Sequence, residues 1–430
     1  MLFTLWHSVV LCVLCVEKKY HQIGRGHFLP HPSTLTNMRL IHTADWHLGR
    51  RLKGVDRTPE IEYQLEELLL AAKILEVDAV LVAGDIFDNP SPPAEAEKVA
   101  YHFFCQLRKA EIPAVIIAGN HDSAFRIEGL SQILSHIGIS ALGRPKRAEQ
   151  GGVIEIETAH GPLCVAAMPF ISERRLLKTA DLWTKNEREQ HHSYQAYLAS
   201  LFENLTHGFR EDNVNIIMAH LTVAEAKRAY SEVDYYTQGI YRLPLQTLPP
   251  HAQYIALGHI HKPQQIPYIV PTAYSGSLIQ LDFNEAEEEK GFNLISVEPG
   301  KPAQVEFKPL SCQKPLTVVN CQESQIEDTL EAYQDEPGFL KVIVELDAPI
   351  VGLAEKVRKI CPQTLMIETQ SKTVEPHTPP QEMQPFDPID TFRTYWQERI
   401  GTTLKPSVIE AFEQLYQELA ESETENGQAL

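Results

Sequence analysis

The sequence predicts an α/β fold, in which two β-sheets pack face to face with helices outside, followed by a small α+β unit and a C-terminal helix pair. Three observations carry this. Between Met38 and Ser123, short apolar runs alternate with longer amphipathic stretches, the pattern of a largely parallel sheet covered by helices. Residues 153–168 then change rhythm. VIEIE alternates, and LCVAAM follows a His160-Gly161-Pro162 turn, as in a hairpin of a second sheet. From about Pro309 the chain reads as short strand–helix units, then a Pro- and Gln-rich stretch, then two capped helices.

In chain order, RLIHTA reads as a buried strand. Residues 59–76 form a helix, with Pro59 at its start and apolar residues at helical spacing. AVLVAG is the second strand, residues 90–110 begin with prolines and continue as an amphipathic helix, and AVIIAG is the third strand. Residues 271–280 (PTAYSGSLIQ) and 292–297 (FNLISV) read as further strands. In the small unit, LTVVN and LKVIVELDA are strands, with helices near IEDTLEAY and GLAEKVRKI. In the first terminal helix Asp387 is the N-cap and Pro388 sits in the first turn. The second carries the capping box Ser407-x-x-Glu410. The expected organisation is an extension over 1–37, a main domain over 38–305, the small unit over 309–372, a linker over 373–385, the helix pair over 386–421 and a tail over 422–430. From the residues alone, the helix pair is either a packed appendage or a clamp for a partner.

A length of 430 residues allows more than one domain. The formal charge of -19 argues against a uniformly basic, nucleic-acid-coating surface. Charge is segregated, however. From Thr373 onward there are eleven acidic residues against three basic ones. Arg50, Arg51, Lys53 and Arg57 form one basic cluster, and Arg174, Arg175 and Lys178 another. Each reads either as a solvated surface or as a phosphate-facing patch. Seven scattered cysteines without regular spacing suggest reduced thiols in a cytosolic protein. The apolar run over residues 2–16 is short for a membrane span, and no basic residue precedes it as in a signal peptide. Met38 begins the first strand directly, so it is the expected translation start.

The chemistry sits where the apolar runs end. After them come Asp45-x-His47, Asp85-x-x-Asp88, Asn120-His121-Asp122, His220 and His259-x-His261. In open α/β sheets ligands gather at the carboxyl ends of strands. On a strand, the two-residue spacing of Asp45/His47 and of His259/His261 puts each pair on one face. Oxygen and imidazole donors in this number suit two divalent cations and a hydrolase acting on phosphate esters. Asp85, after Gly84, is placed to bridge them, although a helix-capping role fits the same residue. Asn120 offers a neutral amide oxygen. His121, adjacent to it, points elsewhere and faces the substrate, with Asp88 as its orienting carboxylate.

The ordered set DxH, GDxxD, GNHD, a lone His and GHxH resembles the calcineurin-like metallophosphoesterases over Met38 to about Val297. The flanking residues HTADWHLG, AGDIFDNPSPP, AGNHDS, MAHLTV, ALGHIHKPQ and YSGSLIQLDF resemble the bacterial SbcD family of nuclease subunits in particular. That likeness extends through the small unit and the helix pair. It implies that Asp45, His47, Asp85 and His261 hold one cation and that Asp85, Asn120, His220 and His259 hold the other, with manganese the expected ion. It implies His121, paired with Asp88, as the catalytic group at the scissile phosphate. It also implies a DNA substrate (double-strand ends and hairpins), a DNA-capping role for the small unit, and a helix pair that binds an SbcC-like SMC-type ATPase. A homodimer within a heterotetramer and a cytoplasmic location follow from the same resemblance. The rivals are a small-molecule or cyclic-nucleotide phosphodiesterase and a non-catalytic DNA-end scaffold. Related phosphoprotein phosphatases carry Arg-Gly after GDxxD, where this chain has Asn89-Pro90.

Overall fold

A computed structural model of the chain describes residues 37–171, 187–227, 242–346 and 350–371, together with Phe392, Trp396, Val408, Ile409, Ala411 and Phe412. The chain divides into two units, Met1–Asn37 and Met38–Leu430. The expected extension lies outside the described residues apart from Asn37. So do the cluster Arg174, Arg175 and Lys178, the linker, the tail and most of the helix pair.

In the second unit, β1 (Met38–Thr43) leads into a short ribbon, β2 (Arg51–Leu52) and β3 (Val55–Asp56). Helix α1 (Thr58–Ile74) has proline in its first turn and buries Ile61, Leu65, Leu68 and Ala72, one face at helical spacing. There follow β4 (Ala79–Val82), α2 (Ala94–Lys109) and β5 (Ala114–Ile117). In α3 (Ala124–Ser135), the Ser123 side chain caps the first turn by accepting from the Arg126 amide. After β6 (Ile139–Leu142) come the hairpin β7 (Val153–Thr158) and β8 (Gly161–Met168), then α4 (Glu187–Thr206) and β9 (Val214–His220). The domain ends with β10 (Tyr254–Gly258), β11 (Gln264–Ile266), β12 (Thr272–Tyr274), β13 (Gly291–Val297) and β14 (Gln304–Pro309).

Two six-stranded sheets result, in the orders β14-β13-β1-β4-β5-β6 and β11-β12-β10-β9-β8-β7. The strands β1, β4, β5 and β6 run parallel, as do β8, β9, β10 and β12. Alternate residues serve different layers. Leu40, Leu81, Val115, Val165, Ile216 and Ala256 fill the space between the sheets. Their neighbours Ile41, Val80 and Val82 pack outward under Leu65, Leu68 and Phe104, and Ile217 and Ile255 pack outward against Leu198 and Phe202. Strands buried on both faces explain why the runs read as continuously apolar rather than alternating.

One expected strand is shorter than read. Of residues 271–280 only Thr272–Tyr274 is strand. Gly276 then turns with φ +73, a conformation that ends extended pairing, and a Cβ there would lie 2.6 Å from the His261 carbonyl oxygen.

The small unit comprises β15 (Leu316–Gln322), α5 (Ile326–Glu331), β16 (Phe339–Leu346), α6 (Leu353–Ile360) and β17 (Thr364–Ser371), with all three strands parallel. The sequence reading missed β17. Strand β16 alternates strictly: Leu340, Val342 and Val344 face Leu330 and Val357 of the helices. On the opposite face Leu316 is buried with Leu52 and Phe283 of the main domain, and Phe339 and Met366 pack at its margin. Further on, the Phe392 and Phe412 rings stack 4.2 Å apart and nearly parallel, one from each expected terminal helix. Among the described residues no helix is long and apolar enough to cross a membrane.

Candidate metal centre

All nine residues given a ligand or catalytic role from the sequence converge at the carboxyl ends of β1, β4, β5, β9 and β10. Three groups have donor atoms within 4.8 Å of one another: Asp45, His47 and His261; Asp85, His220 and His259; and His47, Asp88 and His121. Asn120 joins them. Its Oδ1 lies 2.9 Å from His220 Nε2 and 2.8 Å from His259 Nδ1.

The convergence does not come from strand faces, as the two-residue spacing suggested. β1 ends at Thr43 and β10 at Gly258, so both Asp-x-His and His-x-His lie beyond their strands. Instead Asp45, His47, Asp85 and His259 have positive φ, of 53°, 51°, 51° and 99°. Left-handed backbone at a residue with a side chain is costly and persists where the surroundings enforce it. Here each kink swings a polar side chain inward from a strand end. Between Asp45 and His47, Trp46 is buried the other way, against Phe103 and Phe104. Gly84, at φ +94, passes so close to His220 that a Cβ would lie 2.3 Å from its Nδ1.

The histidines are oriented from behind. His220 Nδ1 donates to the Ala83 carbonyl at 2.8 Å, which leaves Nε2 turned toward Asp85 Oδ2, 3.4 Å away. His47 Nδ1 lies 3.2 Å from Asp88 Oδ1, and its Nε2 is 3.7 Å from the same Asp85 Oδ2. The Nε2 atoms of His47 and His261 approach to 3.1 Å. His121 Nδ1 donates to the Asp88 carbonyl oxygen at 2.8 Å. The expected His121–Asp88 pairing therefore runs through the main chain, while the Asp88 carboxylate serves His47 and Arg50.

Burial and charge set the protonation. Burial pushes Asp45 up to about 6 and His47 down to about 4. Burial also works against charge on Asp85 and His220, but their attraction outweighs it. Asp85 is held well below the carboxylate range, and His220 is lifted to about 9. The buried Asp85 carboxylate thus draws positive charge to itself, enough to hold a proton on His220. Asn120 Nδ2 is also buried there without a hydrogen-bond partner. Lone pairs converging from two sides of one carboxylate fit a pair of divalent cations.

Several contributors had no assigned role in the sequence reading. Asp122 accepts from the amides of Ile86, Phe87 and Gly119 at 3.2, 3.0 and 2.9 Å, tying the β4 and β5 loops together. Glu285 is fully buried with its Oε1 3.4 Å from His261 Nδ1. In sequence it opens the acidic run EAEEE, which looks solvent-facing. Arg57, grouped above with a basic cluster, is buried and paired to Glu60 at 2.6 Å, so it belongs to the interior.

Comparison with known proteins gives this geometry its family. Residues 38–263 match the calcineurin-like phosphoesterase family. Residues 312–399 match a family described as the type 5 capsule protein repressor C-terminal domain. The SbcD subunit of nuclease SbcCD from Bacillus subtilis is 32% identical over 375 residues, which cover 85% of this chain and 94% of that protein. Its counterpart in the SbcCD nuclease of Escherichia coli K12 is 30% identical over 75% of this chain and 82% of its own. A solved dimetal phosphatase from Danio rerio overlays with a TM-score of 0.39 and 11% identity, over 63% of this chain and 99% of that one. The assignment rests on the sequence relatives and not on that overlay. With its strand-end donors, its matched phosphoesterase domain and these relatives, the chain belongs to the calcineurin-like phosphoesterases and, within them, to the SbcD family of metal-dependent nuclease subunits.

Proposed function

We propose that this chain hydrolyses phosphodiester bonds of DNA at double-strand ends and hairpins, as exonuclease and single-strand endonuclease, in recombination and repair. The observation that carries this most is the single oxygen Asp85 Oδ2, which faces His47 at 3.7 Å and His220 at 3.4 Å. One carboxylate between two imidazole sets is what a two-cation centre requires. Asp45, His47, Asp85 and His261 would hold one cation, and Asp85, Asn120, His220 and His259 the other. Manganese is the preferred ion: the mixed carboxylate, amide and imidazole donors accommodate it, and, since affinity order alone favours other ions, the family resemblance singles it out. When bound, such ions supply hydroxide near neutral pH and Lewis acidity toward the phosphoryl oxygens. His121, anchored at Nδ1 by the Asp88 carbonyl, presents Nε2 to stabilise charge on the phosphoryl group and to protonate the leaving sugar oxygen. Asp88 fixes both imidazoles, His121 through its carbonyl and His47 through its carboxylate.

The relatives' name, SbcCD, supports an SbcC-like SMC-type ATPase as partner. The helix pair would be its docking element and the small unit a cap over DNA, with two copies of each protein in the assembly. The described cysteines are all free thiols, which supports a reducing, cytoplasmic setting.

The test is His121→Leu. Binding of two manganese ions should persist while DNA cleavage falls by about 10²- to 10⁴-fold. Cleavage at the wild-type rate would refute the role of His121. Turnover of p-nitrophenyl phosphate against hairpin and linear DNA separates a nuclease from a small-molecule phosphoesterase.

A further inference from the structure

The segment Ser277–Lys290 lies between the metal centre and the small unit and is bonded to both. On one side, Glu285 Oε1 is 3.4 Å from His261 Nδ1, and the Lys290 ammonium donates to the His261 carbonyl at 2.9 Å. Lys290 also pairs with Glu285 at 2.6 Å and with Glu288 at 2.9 Å. The amides of Ser277 and Leu281 complete the grip, on the His261 carbonyl at 3.1 Å and on Glu285 Oε2 at 3.1 Å. His261 is thus held at its ring and at its main chain by one buried ion pair.

On the other side, the Gln280 side chain accepts from the Leu316 amide at 2.7 Å, the first residue of β15. The Gln280 Nε2 donates to the carbonyls of Ala286 and Glu288, at 2.8 and 3.2 Å. Phe283, within the segment, is buried with Leu316 and Leu52. Gln280 therefore clasps the turn that carries Glu285 and Glu288 while holding the small sheet. An imidazole's second nitrogen commonly sets the orientation, and so the metal affinity, of the first.

We propose that Glu285 and Lys290 are positioning residues for His261, and that Gln280 links the seat of the small unit to the cation affinity of the His47/His261 half of the centre. This rests on the two-cation reading above. The small unit, displaced from its seat, would loosen the His261 clamp and leave the Asn120/His220/His259 half unaffected.

Calorimetric titration of manganese into the metal-free full-length chain tests this without assaying cleavage. Wild type should bind two ions. Glu285→Gln should weaken one site by about 10- to 100-fold, and it should be the site that His261→Ala removes. Glu285→Asp, which keeps its charge toward Lys290 but withdraws from His261, should weaken the same site and serves if Glu285→Gln does not fold. Gln280→Ala should shift that site in the same direction. Lys262→Ala, which removes a half-exposed partner of Glu288, should change neither. Two unaltered affinities in Glu285→Gln or Glu285→Asp would overturn the positioning role. A shift there with none in Gln280→Ala would overturn the link to the small unit. Fewer than two ions in wild type would instead refute the two-cation reading.

Discussion

Asp45, His47, Asp85 and His259 are four of the seven described non-glycine residues with left-handed backbone, and all four aim a donor inward. Space for them is made by glycine. At Gly84 a methyl group would meet His220 Nδ1 at 2.3 Å and φ +94 would be strained besides. Gly84→Ala should therefore cost at least about 1–3 kcal/mol in stability and displace His220. Urea unfolding and manganese titration would read this, and a variant with wild-type values in both would contradict it. A second residue-scale prediction concerns pH. His42 is buried beside the Tyr254 hydroxyl, 2.8 Å away, and burial pushes it down to about 3. An unfolded histidine titrates near 6.5. Below about pH 6.5 the unfolded chain takes up a proton that the folded chain refuses until about pH 3. Stability should fall as pH falls through that window, by up to about 1.4 kcal/mol per unit from this group. His42→Phe should lose less stability than wild type between pH 7 and 5, and parallel losses would refute the assignment. At this scale the sequence displayed which residues matter, because donors after apolar runs are conspicuous. It did not display how they are aimed, because a left-handed kink leaves no mark on an aspartate or histidine. Glu285 was hidden for a different reason: an acidic run gives no sign of which carboxylate turns inward.

The main domain's elements were largely legible, since strands buried on both faces and helices with one apolar face have distinct periodicities. Two segments were not. Strand β17, TLMIETQS, alternates only imperfectly and carries mixed polarity, as suits the edge of a three-stranded sheet half covered by the main domain. The segment after β12 reads as strand because Leu278, Ile279 and Leu281 are apolar. Those side chains are buried as a loop, packed into the core under α1 and α2. Packing also ties helix to site. α2 presents Phe103 and Phe104 to Trp46, whose neighbours on both sides are candidate ligands. Phe104→Ala should cost about 3–5 kcal/mol. A denaturation midpoint close to wild type would show that this contact is not what fixes the Asp45–His47 loop.

At the scale of the molecule, both sheets contribute to the centre. Asp45, His47, Asp85 and Asn120 follow strands of the first, and His220, His259 and His261 belong to the second. The His259 amide even donates to Asp45 Oδ1 across the gap at 3.0 Å. Ligands that bind only the folded state stabilise it by mass action, about 2.7 kcal/mol at a free concentration 100 times the Kd. Manganese should accordingly raise the melting temperature, and EDTA should reverse the rise. A melting temperature indifferent to both would argue against ions bridging the sheets. The two-sheet architecture was readable from the order of runs. The placement of the small unit was not, because its seat depends on Gln280, Phe283 and Leu52, none of which stands out in the sequence.

The division of donors between the sheets has a consequence for the protein during its synthesis. The chain emerges N-terminus first, and domains fold as units as they appear. When β1, β4 and β5 and the loops after them have left the ribosome, two carboxylates, an amide and the His47 imidazole are ready, but His220, His259 and His261 are not yet made. A nascent chain shorter than 259 residues lacks an imidazole of each half of the centre. Hydrolytic competence would then arrive late and abruptly, when β10 docks beside β9 and closes the second sheet over the first.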